Sequence, residues 1–379
     1  MLIAHVSDTH LGFRQYNSEE READFYRAYE QLIDKLIEEH VDAVLHSGDL
    51  FDSPRPPTRA LLVVQDSVLK LRERGIPLYA IPGGHDQLKR RGIPPHALYE
   101  RLGMRVLTHR RPWDVLEKGS QRVFIAGIQH VPKHLSETLV ALLGRISEEA
   151  RRYERRVLML HQSIKEVFPI EYELTLADLP RNFHYYAMGH IHRRLTLRFG
   201  DGILAYSGST EVWNRREYAD YLRSGKGAYV VDLSGDEPCV HRVDLDCIRP
   251  HVIEEVRADD LQRGLRRVAA SLRAHGAKPV VHLLVRGVVG RRSALSEVVR
   301  RALSPYALLV RLEFEAEAGE EAVDVSEAVS RLDLRVLMRE ELGDERLAEL
   351  AYALFEALRR EDVEGAKRVA LEFYERGAL

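Results

Sequence analysis

The chain has 379 residues, of which 45% are hydrophobic and 30% charged, and its formal net charge is −3. This composition is typical of a globular protein, and the length is sufficient for two or three domains. Its apolar runs are too short to cross a membrane, and two cysteines, Cys239 and Cys247, form neither a disulfide framework nor a thiolate zinc site. The N-terminal residues predict a core strand and no secretory signal, so we expect a cytoplasmic protein.

Strand-like and helical segments alternate at the start of the chain. Apolar runs and helical spacings predict strands and helices in turn at 2–7, 18–39, 41–46, 59–74 and 77–81. Asn17 and Glu20 are spaced as a capping box for the first helix. This order predicts an α/β layered core with its chemistry at the carboxyl ends of the strands.

Shorter strand-like segments follow, interrupted by one helical segment at 136–152. These segments lie at 123–128, 157–160, 185–188, 195–199, 203–207, 227–233 and 239–245. The last four of them, from 195–199 onward, predict a second sheet that packs on the first and ends near Arg249 and Pro250.

The pattern changes after residue 250. Residues 252–314 have the order β-α-β-α-β and predict a small separate domain. An acidic linker then leads into a helical region that continues to the C-terminal residue. We therefore divide the chain into a layered core domain at 1–249, the small domain at 250–314, the acidic linker at 315–325 and a helical tail at 326–379.

Five short motifs carry aspartate and histidine side chains, nearly all at the ends of predicted strands. In chain order they are Asp8-Thr9-His10, Gly48-Asp49-Leu50-Phe51-Asp52, Gly83-Gly84-His85-Asp86, His161 and Gly189-His190-Ile191-His192. Any one motif could be a set of buried polar residues paired with neighbours. Five motifs in this order favour a metal site.

The mixture of ligand types narrows the choice of metal and of chemistry. Carboxylates with imidazoles and no thiolates suit manganese, iron or zinc better than calcium or magnesium alone. One central aspartate could bridge two ions about 3.5–4 Å apart, as in two-metal phosphoester hydrolysis. Gly48, Gly83 and Gly189 would let the backbone turn sharply beside the ions.

The ordered motifs resemble those of the calcineurin-like metallophosphoesterase superfamily and, more closely, the Mre-eleven family of DNA-repair nucleases, called SbcD in bacteria. The closer resemblance rests on residues 4–12, 48–51 and 188–192, the Tyr206-Ser207-Gly208-Ser209 turn, and Arg249-Pro250. It extends from residue 1 to about residue 250 and, less closely, over the small domain. It implies a four-layer α/β metallophosphoesterase β-sandwich flanked by helices, a small α/β domain that caps DNA, and a helical C-terminal tail.

The resemblance also implies roles for the motif residues. His85 would steer or protonate the leaving oxygen, with Asp86 orienting its imidazole. Histidines outside the motifs, His130 among them, are expected to be surface or packing residues. Two manganese ions would be bound. The ligands of the first would be Asp8, His10, Asp49 and His192, and those of the second would be Asp49, His161 and His190.

Two positions depart from the family pattern. Gly84 stands where the family has an asparagine whose amide oxygen binds the second metal, and glycine offers no side-chain ligand. Asp52 stands where relatives often carry a second histidine near the leaving group. A water could replace the missing ligand, so we expect a weaker second ion and weakened activity.

Basic residues follow the motifs and would surround the mouth of the site with positive charge, as contact with a phosphate backbone requires. The candidate DNA-binding residues are Arg14, Arg55, Lys89, Arg90, Arg91, Arg193 and Arg194. An ordinary solvated side chain is the alternative for each of them. No base-reading motif is present, so sequence-independent binding is expected.

A homodimer is also implied by the resemblance. The helical segments at 59–74 and 94–102 correspond to those through which relatives dimerise. Packing on the sheet is the alternative for their apolar stripe, which consists of Leu61, Leu62, Val64 and Leu71.

The C-terminal tail carries a second apolar stripe. It resembles the family segment that docks on an SMC-like ATPase of the Rad-fifty type, and a partner groove is the favoured location for such a stripe. Its residues are Leu347, Leu350, Leu354, Phe355 and Leu358.

Together these features predict a manganese-dependent DNA nuclease, with double-strand exonuclease and single-strand endonuclease activity, that acts with the ATPase in double-strand-break repair. Two alternatives stay open. A DNA-binding scaffold with weakened catalysis would follow from Gly84, and metal occupancy would distinguish it. A phosphoesterase that acts on small molecules or proteins is the other, against which the capping domain and the docking tail argue.

Overall fold

A computed structural model describes residues 1–88, 92–287, 292–315, 338–339, 342, 344–359 and 362–375. It divides into two units, Met1–Pro250 and His251–Leu379. The predicted linker, apart from Glu315, and the predicted tail before residue 338 lie outside the described residues. Within the described ranges, every helix is too short or too polar to cross a bilayer.

The first sheet of the N-terminal unit has six strands. In sheet order they are β12 (Cys239–Asp244), β11 (Gly227–Asp232), β1 (Leu2–Val6), β2 (Ala43–His46), β3 (Leu78–Ala80) and β4 (Arg105–Val106). Strands β1 to β4 are parallel, whereas β11 pairs antiparallel with both β1 and β12. The parallel strands therefore end at one edge of the sheet.

The second sheet also has six strands. In sheet order they are β5 (Trp113–Lys118), β6 (Gln121–Ile128), β7 (Arg155–His161), β8 (Tyr185–Gly189), β10 (Gly202–Tyr206) and β9 (Leu195–Phe199). Its four central strands are parallel, and β5 and β9 are antiparallel edge strands. A second sheet is therefore present, but the predicted strands at 227–233 and 239–245 do not belong to it, because they pair with β1 and with each other as β11 and β12 of the first sheet.

Helices cover the outer faces of both sheets. They are α1 (Glu19–Glu38), α2 (Thr58–Glu73), α3 (Ala97–Glu100), α4 (Ser136–Ala150) and α5 (Tyr218–Ser224). Apolar residues of α1 and α2 share one core with the first sheet, and those of α4 share another with the second sheet. A third core, which includes Ile3, Leu45, Ile125 and Val157, fills the space between the sheets. The predicted four-layer α/β/β/α arrangement is therefore confirmed.

The cap of α1 lies one residue later than the sequence predicted. Ser18 has an extended backbone, and its hydroxyl accepts the Arg21 N–H at 3.4 Å. Asn17 has φ +58°, a left-handed conformation unlike the extended backbone of an N-cap. Glu20 contacts the Ser18 hydroxyl at 3.0 Å.

The second unit begins with a three-stranded parallel sheet in which one helix follows each of the first two strands. In chain order its elements are β13 (His251–Arg257), α6 (Leu261–Leu272), β14 (Val280–Arg286), α7 (Arg292–Leu303) and β15 (Leu309–Glu315). Leu265, Val268 and Leu303 pack with the apolar residues of β14. Two further helices, α8 (Glu345–Arg359) and α9 (Val363–Glu375), pack against each other.

Candidate metal centre

Six motif residues lie at or just after the carboxyl ends of parallel strands. Asp8, His10 and Asp49 follow β1 and β2 of the first sheet. His161, His190 and His192 lie at or after the ends of β7 and β8 of the second sheet. The packed sheets bring these strand ends together. Their ligand atoms form two groups of three, each within 4.8 Å of one another.

Four of these residues have a strained backbone. The φ angles are +53° at Asp8, +44° at His10, +52° at Asp49 and +87° at His190. A non-glycine residue in this region costs about 1–3 kcal/mol. Hydrogen bonds hold the turns in place, since the Asp8 N–H donates to Gly48 O at 3.0 Å and the His10 N–H to Asp49 O at 3.1 Å. The turns that these hydrogen bonds hold in place direct the ligand side chains toward the metal centre.

Glycine is required at three positions beside the ligands, and at Gly48, where φ is +95°, a Cβ would lie 2.3 Å from His161 Nδ1. A Cβ at Gly83 would lie 2.2 Å from Asp49 Oδ1, and one at Gly189 would lie 2.1 Å from Ser47 O. Gly84 is different, because its Cβ would meet only His130, 3.8 Å from Nδ1. A side chain therefore has space at Gly84.

The first cluster consists of Asp8, His10 and His192. His10 Nε2 lies 3.1 Å from His192 Nε2, which is 3.8 Å from Asp8 Oδ1. Glu217 Oε1 accepts the Nδ1 proton of His192 at 2.8 Å, and Asp52 Oδ1 lies 3.3 Å from His10 Nδ1. These carboxylates favour protons on Nδ1, which leaves both Nε2 lone pairs facing each other. A cation between them removes their repulsion.

The second cluster consists of Asp49, His161 and His190. Ser47 O accepts the Nδ1 proton of His161 at 2.7 Å, and His161 Nε2 lies 3.2 Å from Asp49 Oδ2. The same Asp49 oxygen is 3.8 Å from His10 Nε2 in the first cluster. Asp49 therefore stands between the two clusters and can serve both.

Burial and neighbouring charges together shift the pKa values of the two histidines of the second cluster. Burial would lower the pKa of His161, but the carboxylates of Asp49 and Asp8 outweigh burial and raise it to about 10. Burial and then the charge of His161 lower the pKa of His190 to about 4. The carboxylates that attract a proton to His161 attract a metal cation in the same way.

The donor set fits two divalent cations. His161 Nε2 is buried and has no hydrogen-bond partner among the described residues, although a carboxylate lies beside it. Buried polar atoms are normally paired, and a metal ligand is the explanation that fits this imidazole. The first cluster would hold one ion and the second cluster the other. The nitrogen and oxygen donors suit manganese, iron or zinc.

Comparisons with known proteins agree with this geometry. The family model for calcineurin-like phosphoesterases matches residues 1–231. The chain is 41% identical over 250 residues to DNA double-strand break repair protein Mre11 of Methanocaldococcus jannaschii, which covers 65% of this chain and 67% of that one. It is 34% identical over 369 residues to the protein of the same name from Thermoplasma acidophilum, covering 95% of both. It is also 35% identical over 302 residues to the Mre11 protein of Saccharolobus solfataricus, and this match covers 77% of each chain.

The chain belongs to the Mre11 family of calcineurin-like phosphoesterases. The resemblance drawn from the motifs is thereby confirmed. The comparison with the Thermoplasma Mre11 protein extends the relationship beyond the phosphoesterase domain to nearly the whole chain.

One Mre11-like role expected from the sequence, that of Asp86, needs correction. Its buried carboxylate accepts the backbone N–H groups of Phe51 and Gly83, both at 2.8 Å. Asp86 therefore ties the loops after β2 and β3 together, and it does not orient the His85 imidazole. His85 Nδ1 donates instead to Asp52 O at 3.0 Å.

Asp52 connects His85 to the first cluster. His10, Asp52 and His85 each place one ligand atom within 4.8 Å of the others. The imidazole rings of His10 and His85 are 4.8 Å apart. Trp213 covers this group, with ring centroids 5.5 Å from His10 and 6.1 Å from His85. The sequence identified Asp52 only as a departure, because nothing in its spacing places it between two histidines.

The candidate DNA-binding residues differ in exposure. Arg14, Arg55 and Arg193 are exposed. Arg194 is buried, and its guanidinium donates to Val243 O at 2.8 Å and to other acceptors. The prediction for Arg194 was wrong, because its donors are used inside the fold. Three further candidates lie outside the described residues: Lys89, Arg90 and Arg91.

The predicted partner surfaces are only partly exposed. On α2, Val64 and Leu71 are buried in the core, so they cannot belong to a dimer stripe, whereas Leu62 is exposed and Leu61 is half-buried. On α8, Phe355 and Leu358 of the predicted stripe are exposed. The other three residues of the stripe are half-buried: Leu347, Leu350 and Leu354.

Sequence reasoning missed the residues that support His192. Glu217 Oε2 accepts from Lys226 Nζ at 2.9 Å, and Lys226 also donates to His192 O at 3.2 Å. Burial would raise the pKa of Glu217, but Lys226 and then His192 outweigh burial and lower it to about 2. Glu217 ends a short 3-10 turn and Lys226 directly precedes β11, and neither position belongs to an apolar periodicity that would indicate burial.

Proposed function

We propose that this chain is a metal-dependent DNA nuclease that acts in double-strand-break repair. Its relatives are named DNA double-strand break repair proteins, and the family gives the reaction class, phosphoester hydrolysis. One observation carries the proposal: an Asp49 oxygen lies 3.2 Å from His161 and 3.8 Å from His10, between the two ligand clusters. A shared carboxylate of this kind is what a two-metal phosphodiesterase requires. Manganese is the proposed ion.

The chain's own residues would hold the reacting groups in place. Bound divalent ions would supply charge stabilisation for the phosphate and activate a water for in-line attack. Asp8 is held ready by the His190 N–H, which donates to its carboxylate at 3.0 Å. Trp213 stacks on Phe13 with centroids 5.2 Å apart and would keep water from the side of His10.

His85 is the proposed proton donor to the leaving oxygen. Its side chain is 42% exposed, which makes it accessible to a substrate. Because the Nδ1 proton is donated to Asp52 O, the doubly protonated imidazolium would transfer its Nε2 proton to the leaving oxygen and return to the neutral Nδ1–H form. Asp52 holds the imidazole in that orientation.

Exposed arginines and apolar residues support the proposed partners. Arg14, Arg55 and Arg193 would contact phosphates without reading bases, as would Lys89, Arg90 and Arg91. The β-α-β-α-β domain is proposed to cap the DNA. Phe355 and Leu358 would dock on an SMC-like ATPase of the Rad-fifty type, and Leu62 would contribute to a homodimer.

Degradation of an end-labelled blunt duplex with manganese tests this function. The parent chain is compared with Asp49→Asn, with and without the ATPase partner. We expect cleavage by the parent and a loss of more than roughly 100-fold in the variant, since even residues that only orient a metal ligand cost 10–100-fold. A parent that binds two manganese ions and leaves duplex and single-stranded DNA intact would overturn the proposal.

A DNA-binding scaffold is the second candidate, and Gly84 is the observation that favours it. Glycine gives the second ion no side-chain ligand, and a side chain there has space. Cleavage that occurs only after Gly84→Asn would support the scaffold. Hydrolysis of bis(p-nitrophenyl) phosphate with no DNA cleavage would instead support a small-molecule phosphodiesterase.

A further inference from the structure

Two ionisable side chains beside the second cluster have no part in the proposed chemistry. Glu173 lies between β7 and β8, and His130 follows β6; their side chains are only 11% and 19% exposed. Glu173 Oε2 accepts the Ser163 N–H at 2.7 Å. This bond fixes the carboxylate two residues beyond His161 and uses only one of its oxygens.

The other oxygen of Glu173 lies between two imidazoles. Oε1 is 4.0 Å from His190 Nε2 and 3.8 Å from His130 Nε2. The His130 ring centroid is 5.8 Å from that of His190 and 6.0 Å from that of His161, compared with 5.2 Å between His161 and His190. Three imidazoles therefore surround the Asp49 side of the centre, with Glu173 behind two of them.

His130 also faces the position that offers no ligand. A Cβ at Gly84 would lie 3.8 Å from His130 Nδ1, whereas Nε2 of the same ring is the nitrogen near Glu173. A carboxylate that takes the Nε2 proton leaves the Nδ1 lone pair on the Gly84 side. The His130 ring is thus placed to offer Nδ1 as a ligand atom on the side where Gly84 has no side chain.

We propose that Glu173 and His130 complete the second metal site. Glu173 accepts the Nε2 proton of His190, which leaves Nδ1 of His190 for the metal, and His130 adds a third imidazole beside Gly84. Glu173 is a positioning residue and His130 a ligand. The present separations exceed a hydrogen bond by roughly 1 Å, so these side chains would have to move closer by about that distance to hold the ion in this way.

The first cluster provides an internal comparison for this role. There, Glu217 holds His192 through the Nδ1 proton at 2.8 Å. Glu173 would hold His190 through the opposite nitrogen and at longer range. If both carboxylates orient metal ligands, each should affect only the ion on its own side.

Manganese titration of the full chain, followed by electron paramagnetic resonance, tests this proposal. The spectrum counts bound ions and detects spin coupling within a pair. The parent is compared with Glu173→Gln and His130→Phe, and Glu217→Gln is the matched control. We expect two coupled ions in the parent. Glu173→Gln and His130→Phe should weaken the second ion by roughly 10–100-fold and retain the first, whereas Glu217→Gln should weaken the first.

A rescue variant separates loss of a ligand from a folding defect. In the His130→Phe background, Gly84→Asn places an amide oxygen beside the site and should restore the second ion. Two ions bound with parental affinity in Glu173→Gln and His130→Phe would overturn the proposal, as would a parent that binds a single ion. The inference rests on the proposed metal-dependent function, but an inactive parent that binds two coupled ions would refute only the nuclease.

Discussion

The two ligand clusters contain the same kinds of side chain but differ in how those side chains are supported. In the first, Glu217 accepts the His192 proton at 2.8 Å and is itself held by Lys226 at 2.9 Å. In the second, the Glu173 oxygen nearest His190 is 4.0 Å away. His192 is thus held by a short hydrogen bond to a carboxylate and His190 is not, although Ser47 O holds His161 of the second cluster at 2.7 Å.

This difference predicts unequal metal affinities. Ligands that folding already holds in place lose less conformational freedom when the ion binds. The first ion should therefore bind more tightly than the second, a difference that Gly84 increases because it contributes no ligand atom. Phosphodiester hydrolysis needs both ions, so the weaker cluster should control activity.

The largest effect is expected where the clusters meet. Asp49→Asn replaces the shared carboxylate by a neutral amide and should weaken both ions, with cleavage reduced by more than roughly 100-fold. The amide oxygen can still accept the His85 N–H, which donates to Asp49 Oδ1 at 2.8 Å, so the loop should stay folded. Manganese titration of the variant checks this, and the loss of one ion alone would contradict a shared ligand.

Glu217→Gln should weaken the first ion by roughly 10–100-fold, because the amide orients His192 less strongly. It also leaves Lys226, which is 3% exposed, without its carboxylate. The double variant Glu217→Gln/Lys226→Met is the control, since it removes the unpaired buried charge. Recovery of stability without recovery of affinity is expected. Recovery of both would mean that Glu217 serves only the fold.

The Glu217 carboxylate should also make stability depend on pH. Lys226 and His192 outweigh burial and lower its pKa to about 2, below the 4.5 of an unperturbed glutamate. The charged form therefore stabilises the fold above about pH 4.5, by roughly 3 kcal/mol, and this contribution is lost as the pH falls towards 2. Urea unfolding of the parent and of Glu217→Gln should differ at pH 7 and converge near pH 2. A constant difference would refute the ion pair.

Gly84→Asn should reduce the difference between the clusters. The new side chain has space, and its amide oxygen can bind the second ion, so a gain of about 10-fold in that affinity is expected. The first ion should bind as before. Calorimetric titration with manganese measures both affinities, and an unchanged second affinity would indicate that the site is already complete without position 84.

The smallest effect is expected from Arg193→Ala. This exposed residue follows His192, so its loss should weaken DNA binding a few-fold and lower the salt dependence by about one charge without changing either ion. Arg198→Ala is the matched control, because Arg198 is exposed on β9 and paired with Glu237 at 2.6 Å. Equal losses in both variants would argue against a specific contact at Arg193.

The positions of the ligands could be predicted from the sequence, but their support could not. Asp8, Asp49 and His161 lie at strand ends, and strand ends are visible as the limits of apolar runs. Glu217 ends a short 3-10 turn before α5 and Glu173 lies in the connection between β7 and β8, and each contacts a histidine distant in the chain. The parallel pairing of β7, β8 and β10 within the second sheet brings each carboxylate to its histidine.

The burial of Arg194 could not be predicted from the sequence either. Arg194 follows a metal motif just as Arg193 does, yet its acceptor Val243 lies 49 residues further along the chain. The edge strand β5 was also missed, because its residues Trp113–Lys118 are mostly polar or half-exposed and lack a clear alternation. In both cases a distant pairing partner decides the conformation.

The most direct test is to measure manganese binding and duplex cleavage by the parent chain over the same range of metal concentration. Two binding steps of unequal affinity are predicted, with cleavage rising as the second, weaker ion binds. Two equivalent sites, or cleavage that reaches its maximum when only the first ion is bound, would contradict the proposed difference between a first cluster with a preformed carboxylate support and a second cluster without one.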